Sequence, residues 1–120
     1  MLNSKSIDND IYKLSKAFAV RIVNMHNYLK SERQEFVMSK QVLRSGTSIG
    51  ANVREGKYAQ SKADFINKMS VALKEASETA YWLEILYQTN YITEDLYNSI
   101  YGDCDKIIAV LAKIVKTSKI

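Results

Sequence analysis

The chain has 120 residues, 47% of them hydrophobic and 25% charged, with four glycines and no proline, a composition that excludes a disordered tail and leaves little to interrupt helices. Its one cysteine, Cys104, rules out an intramolecular disulfide, a zinc cluster and a CxxC redox motif, and fits a reducing, cytoplasmic setting. The formal net charge of +4 permits nucleic acid as a partner without requiring it.

At this length a single domain spanning 1–120 is expected. The opening MLNSKSIDNDIYK has no apolar core of signal-peptide length. The longest apolar run, Ile107 to Ala112, falls far short of the about 18 residues of a membrane span, so no membrane partner is expected.

Along the chain, Ile7, Ile11, Leu14, Phe18, Ile22, Met25 and Leu29 recur at steps of three and four, which lays one apolar stripe along a first helix. Lys13 and Lys16 fall on its opposite side. Ser31 and Gln34 have the spacing of a capping box, so a second helix is predicted to begin near Arg33. Its stripe is Val42, Gly46, Ile49 and Val53, with Phe36 and Leu43 adjacent, and Gly56 stands where a left-handed terminating residue is wanted. After a turn over Lys57 to Gln60, Ser61 with Asp64 caps a third helix. Its core positions run through Phe65, Met69, Ala72, Leu73, Ala76, Ala80, Leu83 and Tyr87, a span of about 28 residues or roughly 40 Å. Thr93, followed by Glu94 and Asp95, opens a fourth helix with the acidic first turn that suits its dipole. Leu96, Ile100, Ile107, Leu111 and Ile114 form that seam. Short connections between similar helices predict an all-α, antiparallel up-down-up-down four-helix bundle.

Helix two carries the most unusual composition. Gly46 and Gly50 each cost about 1 kcal/mol relative to alanine inside a helix, so a compensating close approach to a neighbour is expected, with Ser48 and Ala51 beside them. The competing phosphate-loop reading of SGTSIG lacks a preceding strand and the Gly-Lys-Ser/Thr ending. Arg44, Ser48, Asn52 and Glu55 lie before the turn and Glu75, Glu78 and Thr79 after it. Antiparallel packing brings arginine and carboxylate together across that groove, either as a structural network or as a subunit-contact surface. The contact reading comprises Arg44, Gly46, Ser48, Gly50, Asn52, Arg54, Glu55, Glu75 and Glu78.

On the fourth helix Lys106, Lys113 and Lys116 project away from the seam, as Lys13 and Lys16 do on the first, so the two helices together present a basic outer wall for phosphates. Asp103 and Asp105 sit beside it. The eight tyrosines and Trp82 are candidate stacking platforms. Tyr81, Trp82, Tyr87, Tyr97 and Tyr101 nevertheless fall near seams, where core or rim positions are expected. His26, the one histidine, excludes the repeated Glu-x-x-His pair of di-iron bundles, and no cofactor or metal is expected.

RSGTSIGANVREG, the turn ending in SKADF and the string KEASETAYWLEIL resemble the bacterial four-helix-bundle proteins named for open reading frames in 23S rRNA intervening sequences. The likeness runs in pattern from about Tyr12 through Ile92, and Ser48, Asn52, Glu55 and Gly56 match its signature between helices two and three. That family is related to the accessory variability protein of diversity-generating retroelements, a homopentameric ring with a basic exterior that works with a reverse transcriptase and nucleic acid. The resemblance therefore implies a homopentamer, with RNA or DNA and a reverse transcriptase or other protein as partners. It brings no catalytic residue.

A non-enzymatic, oligomeric adaptor is the resulting expectation. The alternative is a purely structural assembly module without nucleic-acid contact. A remote third is a HEPN-like ribonuclease, since Arg21 and His26 form a similar R-x4-H spacing in which histidine serves acid-base chemistry and arginine steadies phosphate charge.

Overall fold

The computed structural model describes residues 4–119, with side chains from Asp10 onward, so the Ile7 position of the first stripe lies outside the described side chains. The apolar spacing is realised as α1 (Ser4–Ser31), α2 (Met38–Lys57), α3 (Lys62–Gln88) and α4 (Glu94–Ser118). Twenty-eight residues at about 1.5 Å each make a rod of about 42 Å, and the molecule measures 46 × 22 × 18 Å. The three longer helices thus run most of its length, and α2, with 20 residues or about 30 Å, about two-thirds of it.

Contacts between neighbouring helices rise in one number as they fall in the other. Ile22 meets Gly46 and Ser15 meets Gly50; Thr79 meets Ser45 and Lys68 meets Glu55; Tyr97 meets Tyr87 and Cys104 meets Ala76. Every consecutive pair is therefore antiparallel, and the four form an all-α bundle in which α4 returns to α1. Ile11, Phe18, Ile22 and Leu29 from α1, Val42 and Ile49 from α2, Leu83 and Leu86 from α3, and Ile100, Ile107 and Leu111 from α4 are essentially inaccessible. Burying each such side chain contributes about 1.5–3 kcal/mol. Cys104 joins this seam and donates from Sγ to the Ala76 carbonyl at 3.3 Å.

The helix boundaries follow local hydrogen bonding more than the pattern of apolar residues. The capping box predicted at Ser31 and Gln34 does not form: α1 continues through Ser31, whose hydroxyl donates to the Asn27 carbonyl at 2.9 Å. Gln34 instead takes the left-handed conformation, φ 52°, that turns the chain. The start of α2 moves to Met38 and is capped by Glu35, a buried carboxylate that accepts from Ser39 N–H at 2.8 Å and Val37 N–H at 3.3 Å. Phe36, expected beside the core, is left 53% exposed by this shift.

Gly56 is not a left-handed terminator either, since no glycine has positive φ and α2 continues to Lys57. A Cβ there would meet the terminal Cε of Met69, a flexible side chain, and lies 3.4 Å from Lys68 Cβ, so α3 packs against this position. The left-handed position after α3 is Asn90, φ 65°. Its N–H reaches the Tyr87 carbonyl at 3.0 Å and Tyr91 N–H reaches Leu86 at 2.9 Å, which closes the helix in a Schellman motif. The caps at Ser61 and Thr93 form as expected: Asp64 N–H donates to Ser61 Oγ at 3.0 Å, and Leu96 N–H to Thr93 Oγ1 at 3.2 Å.

Candidate nucleic-acid interface

The close approach expected of helix two lies within the subunit. A Cβ at Gly46 falls 2.8 Å from Ile22 Cγ1, and one at Gly50 falls 3.4 Å from the Ser15 carbonyl oxygen. Both glycines are buried against α1. They do not reach a surface, and their assignment to an oligomer interface is corrected accordingly. His26 borders the same seam, its Nδ1–H donating to the Ser39 carbonyl at 3.0 Å.

Across the other side of α2 the arginine and carboxylates do meet. Arg44 Nη1 lies 2.9 Å from Glu75 Oε2, its Nη2 contacts Glu78 Oε2, and Trp82 Nε1–H donates to that same Glu78 oxygen at 3.0 Å. Hydrogen bonds from Trp82 and then Arg44 hold the Glu78 carboxyl below the usual carboxylate range. Those that Arg44 donates to Glu78 and then Glu75 raise its guanidinium above the ordinary value. The Arg44 side chain is 50% exposed, so each bridge is worth about 1 kcal/mol or less. Beneath them, Thr79 Oγ1 sits 2.9 Å from Ser45 Oγ and 2.8 Å from the Glu75 carbonyl, fully buried. The sequence reading passed over Ser45 because serine is polar, although its spacing of three from Val42 and four from Ile49 places it on the buried face.

The remaining interface candidates are dispersed. Ser48 Oγ donates to the Arg44 carbonyl at 2.6 Å and Asn52 Nδ2 to the Ser48 carbonyl at 2.9 Å, both along α2's own turns. Glu55 pairs with Lys68 at 3.1 Å. Arg54 is exposed and has no partner among the described residues.

The predicted lysines lie in one half of the bundle but not all on one wall. Arg21 Nη1 reaches Asp103 at 2.7 Å and its Nη2 reaches Ser99 at 3.0 Å, which fixes the register of α1 against α4. Continuing antiparallel from that bridge, Lys16 and Lys13 stand level with Ile108 and Leu111, between Lys106 and the last turns of α4 that carry Lys113 and Lys116. Lys106 follows Asp103 by one turn toward the same end. All of these lysines are exposed and none makes an ion pair among the described residues. Lys16 turns toward α2, where its Nζ and that of Lys57 each lie 5.8 Å from the Tyr12 ring. Lys57 was read from sequence only as part of a turn. The structure adds it, because the close of α2 and the opening of α1 share one end of the bundle. The opposite end, where α1 passes to α2 and α3 to α4, carries Glu32, Glu35, Glu84, Glu94 and Asp95.

Arg21 and His26 are not brought together. The guanidinium is engaged on the α4 side and the imidazole on the α2 side. Tyr97 stacks on Tyr87 at 4.4 Å, and Tyr101 OH donates to Glu84 at 3.3 Å, so these rings rim the α3–α4 seam as expected. Tyr81, expected near a seam, is 54% exposed because it lies over the outer face of α3. No group of three or more potential metal ligands occurs among the described residues, and no described helix is long and apolar enough to cross a membrane.

A comparison with curated proteins returns no match. Among solved structures, the chain is similar to a protein of unknown function from the S23 ribosomal protein family of Bacteroides thetaiotaomicron. The two share 58% identity over 92% of this chain and 98% of that one, with a TM-score of 0.90. Residues 7–113 match the 23S rRNA-intervening sequence protein family. With nearly the whole bundle covered, including the α2–α3 hairpin, the chain belongs to the 23S rRNA-intervening sequence protein family.

Proposed function

We propose that this protein is a non-enzymatic, cytoplasmic adaptor that assembles into a symmetric ring, a homopentamer, and binds RNA or DNA through the wall formed by α1 and α4. One observation carries the nucleic-acid part: Lys13, Lys106, Lys113 and Lys116 stand exposed in one half of the bundle, with Lys16 beside them turned toward α2, and none is paired to a carboxylate among the described residues. Unpaired ammonium groups at such spacing neutralise phosphates and release counterions, and a ring multiplies a modest patch. The pentamer and a reverse transcriptase or other protein partner come from the resemblance. In such a ring the members of the earlier interface set that keep exposure on α2, Arg44 and Ser48 among them, are left available to a second copy. The separate engagements of Arg21 and His26 support a role without catalysis.

Retention on RNA and DNA across a salt series tests the reading. Reversal of Lys106, Lys113 and Lys116 to glutamate is expected to abolish retention, and unchanged retention removes the basic wall. A monomeric solution mass removes the ring.

A second reading, a pure assembly module, is favoured by Tyr81 on the outside of α3. It borders a shallow hollow of about 510 Å³ lined by Ser70, Leu73, Lys74 and Ser77. An oligomer that loses mass on Tyr81→Arg and never binds nucleic acid supports that reading over the first.

A further inference from the structure

Beyond the lysine wall, the same end of the bundle carries an exposed aromatic ring. Tyr58 closes α2 and is 72% exposed, among the largest values for any big apolar side chain in the described structure. Burial does not account for a ring in that position. It opens onto a hollow of about 500 Å³ between the end of α2 and the start of α3, shared with Arg54, Glu55, Gln60, Asp64 and Lys68.

The charges in the hollow are sorted by their partners. The Glu55 carboxylate is neutralised by Lys68 at 3.1 Å, and Asp64 accepts the Gln60 N–H at 3.3 Å while its own N–H is taken by Ser61. Arg54 has no such partner among the described residues. One turn before Tyr58 on α2, it stands on the same outward face. On the other flank Lys57 and Lys16 converge over Tyr12, which links the hollow to the lysine wall.

An unpaired guanidinium beside a bare ring, continuous with a run of ammonium groups, is the arrangement that holds an unstacked base while cations track its backbone. A duplex offers its phosphates but keeps its base faces covered. We propose that Tyr58 is a stacking platform that gives this end of the protein a preference for single-stranded nucleic acid, with Arg54 contacting the adjoining phosphate. This rests on the reading of the lysine wall as a nucleic-acid surface, and adds to it the strand form recognised.

Fluorescence anisotropy of the full-length protein against three labelled probes tests it: an oligothymidylate, an abasic strand of the same length, and a hairpin duplex. The native protein is expected to bind oligothymidylate more tightly than either other probe. Stacking of one base on a side chain predicts that Tyr58→Ala weakens oligothymidylate binding roughly 5- to 150-fold. Tyr58→Phe is expected to retain it, and neither change to alter duplex binding or the salt dependence. Because the side chain is exposed, both variants are expected to fold.

Equal affinity of the native protein for base-bearing and abasic strands overturns the platform while leaving the lysine wall standing. So does Tyr58→Ala without effect. If instead no probe binds, or an acidic peptide competes for every probe equally well, the underlying nucleic-acid reading falls and the platform falls with it.

Discussion

The same substitution at two glycines has opposite expected effects, which makes the packing argument measurable. Gly102 lies about a third of the way along α4, exposed, and a Cβ there meets nothing within 4 Å. Gly102→Ala therefore gains the helix propensity difference alone, about 1 kcal/mol. For a chain of this size that raises the melting temperature by about 4 °C. At Gly46 the same Cβ falls 2.8 and 2.9 Å from Ile22 Cγ1 and Cγ2. Both atoms branch directly from the Cβ of a residue held to essentially one rotamer in a helix, so relief requires moving α1 away from α2. Overpacking of this kind costs about 1–3 kcal/mol, which cancels or exceeds the propensity gain. Gly46→Ala is thus expected between neutral and about 2 kcal/mol destabilised, roughly 4–12 °C below Gly102→Ala. Thermal and urea unfolding of both variants, at two protein concentrations to separate folding from assembly, makes the comparison. Equal stabilisation by the two changes refutes the account of why α2 carries glycine. Destabilisation by Gly102→Ala at the higher concentration alone refutes the open-space account of α4 and reveals a copy packed against it.

Removing the Glu35 cap by Glu35→Ala strands the Ser39 N–H, so a loss of about 1–2 kcal/mol in urea unfolding is expected, with Glu35→Gln milder; an unaffected alanine variant refutes the cap. Thr79→Val keeps the shape and deletes the hydroxyl facing Ser45, costing about 1–3 kcal/mol. Adding Ser45→Ala is expected to recover part of that loss in a double-mutant cycle, and strict additivity rejects the pairing. Stability is expected to fall at both pH extremes. Glu78 is held below its ordinary 4.5, so its contribution is complete above that value and disappears as pH falls beneath it. A Glu78→Gln variant with an unchanged acid limb contradicts this. Burial pushes the Cys104 thiol from 9.0 up to about 12, and burial also raises Tyr97 and Tyr101. Their contributions are complete below pH 9 and are lost as pH rises toward 12, so denaturation midpoints at pH 7 and 10.5 should differ, and equal midpoints contradict it. The same burial predicts that Cys104 resists alkylation until the protein unfolds.

Several features were legible in the chain because they depend on near neighbours. Among the described side chains the stripes of all four helices reappear as buried or half-buried residues, since steps of three and four settle which side chains share a helix face whatever lies opposite. Ser61 and Thr93 cap as read because a hydroxyl reaching an N–H three residues on is a local event. The Arg44 bridges to Glu75 and Glu78 were anticipated once antiparallel packing was assumed. Family membership was legible too, carried by the run from Arg44 to Gly56 and the helix after it.

Where two helices meet, the chain alone was insufficient. Ser31 and Gln34 have the spacing of a cap, but α1 gains more by continuing, and the carboxylate of Glu35 takes over the start of α2. Nothing in the text of the chain says which glycines face a neighbour and which face water: Gly46 is held small by Ile22 and Gly56 packs against the end of Met69, while Gly102 touches nothing. Tyr58 and Lys57 gained meaning only when the end of α2 was placed beside the beginnings of α1 and α3. Periodicity along a chain fixes the faces of each helix, because it is a property of residues a turn apart. Which face meets which partner depends on the volumes and charges of residues distant in sequence, and only the packed bundle decides it.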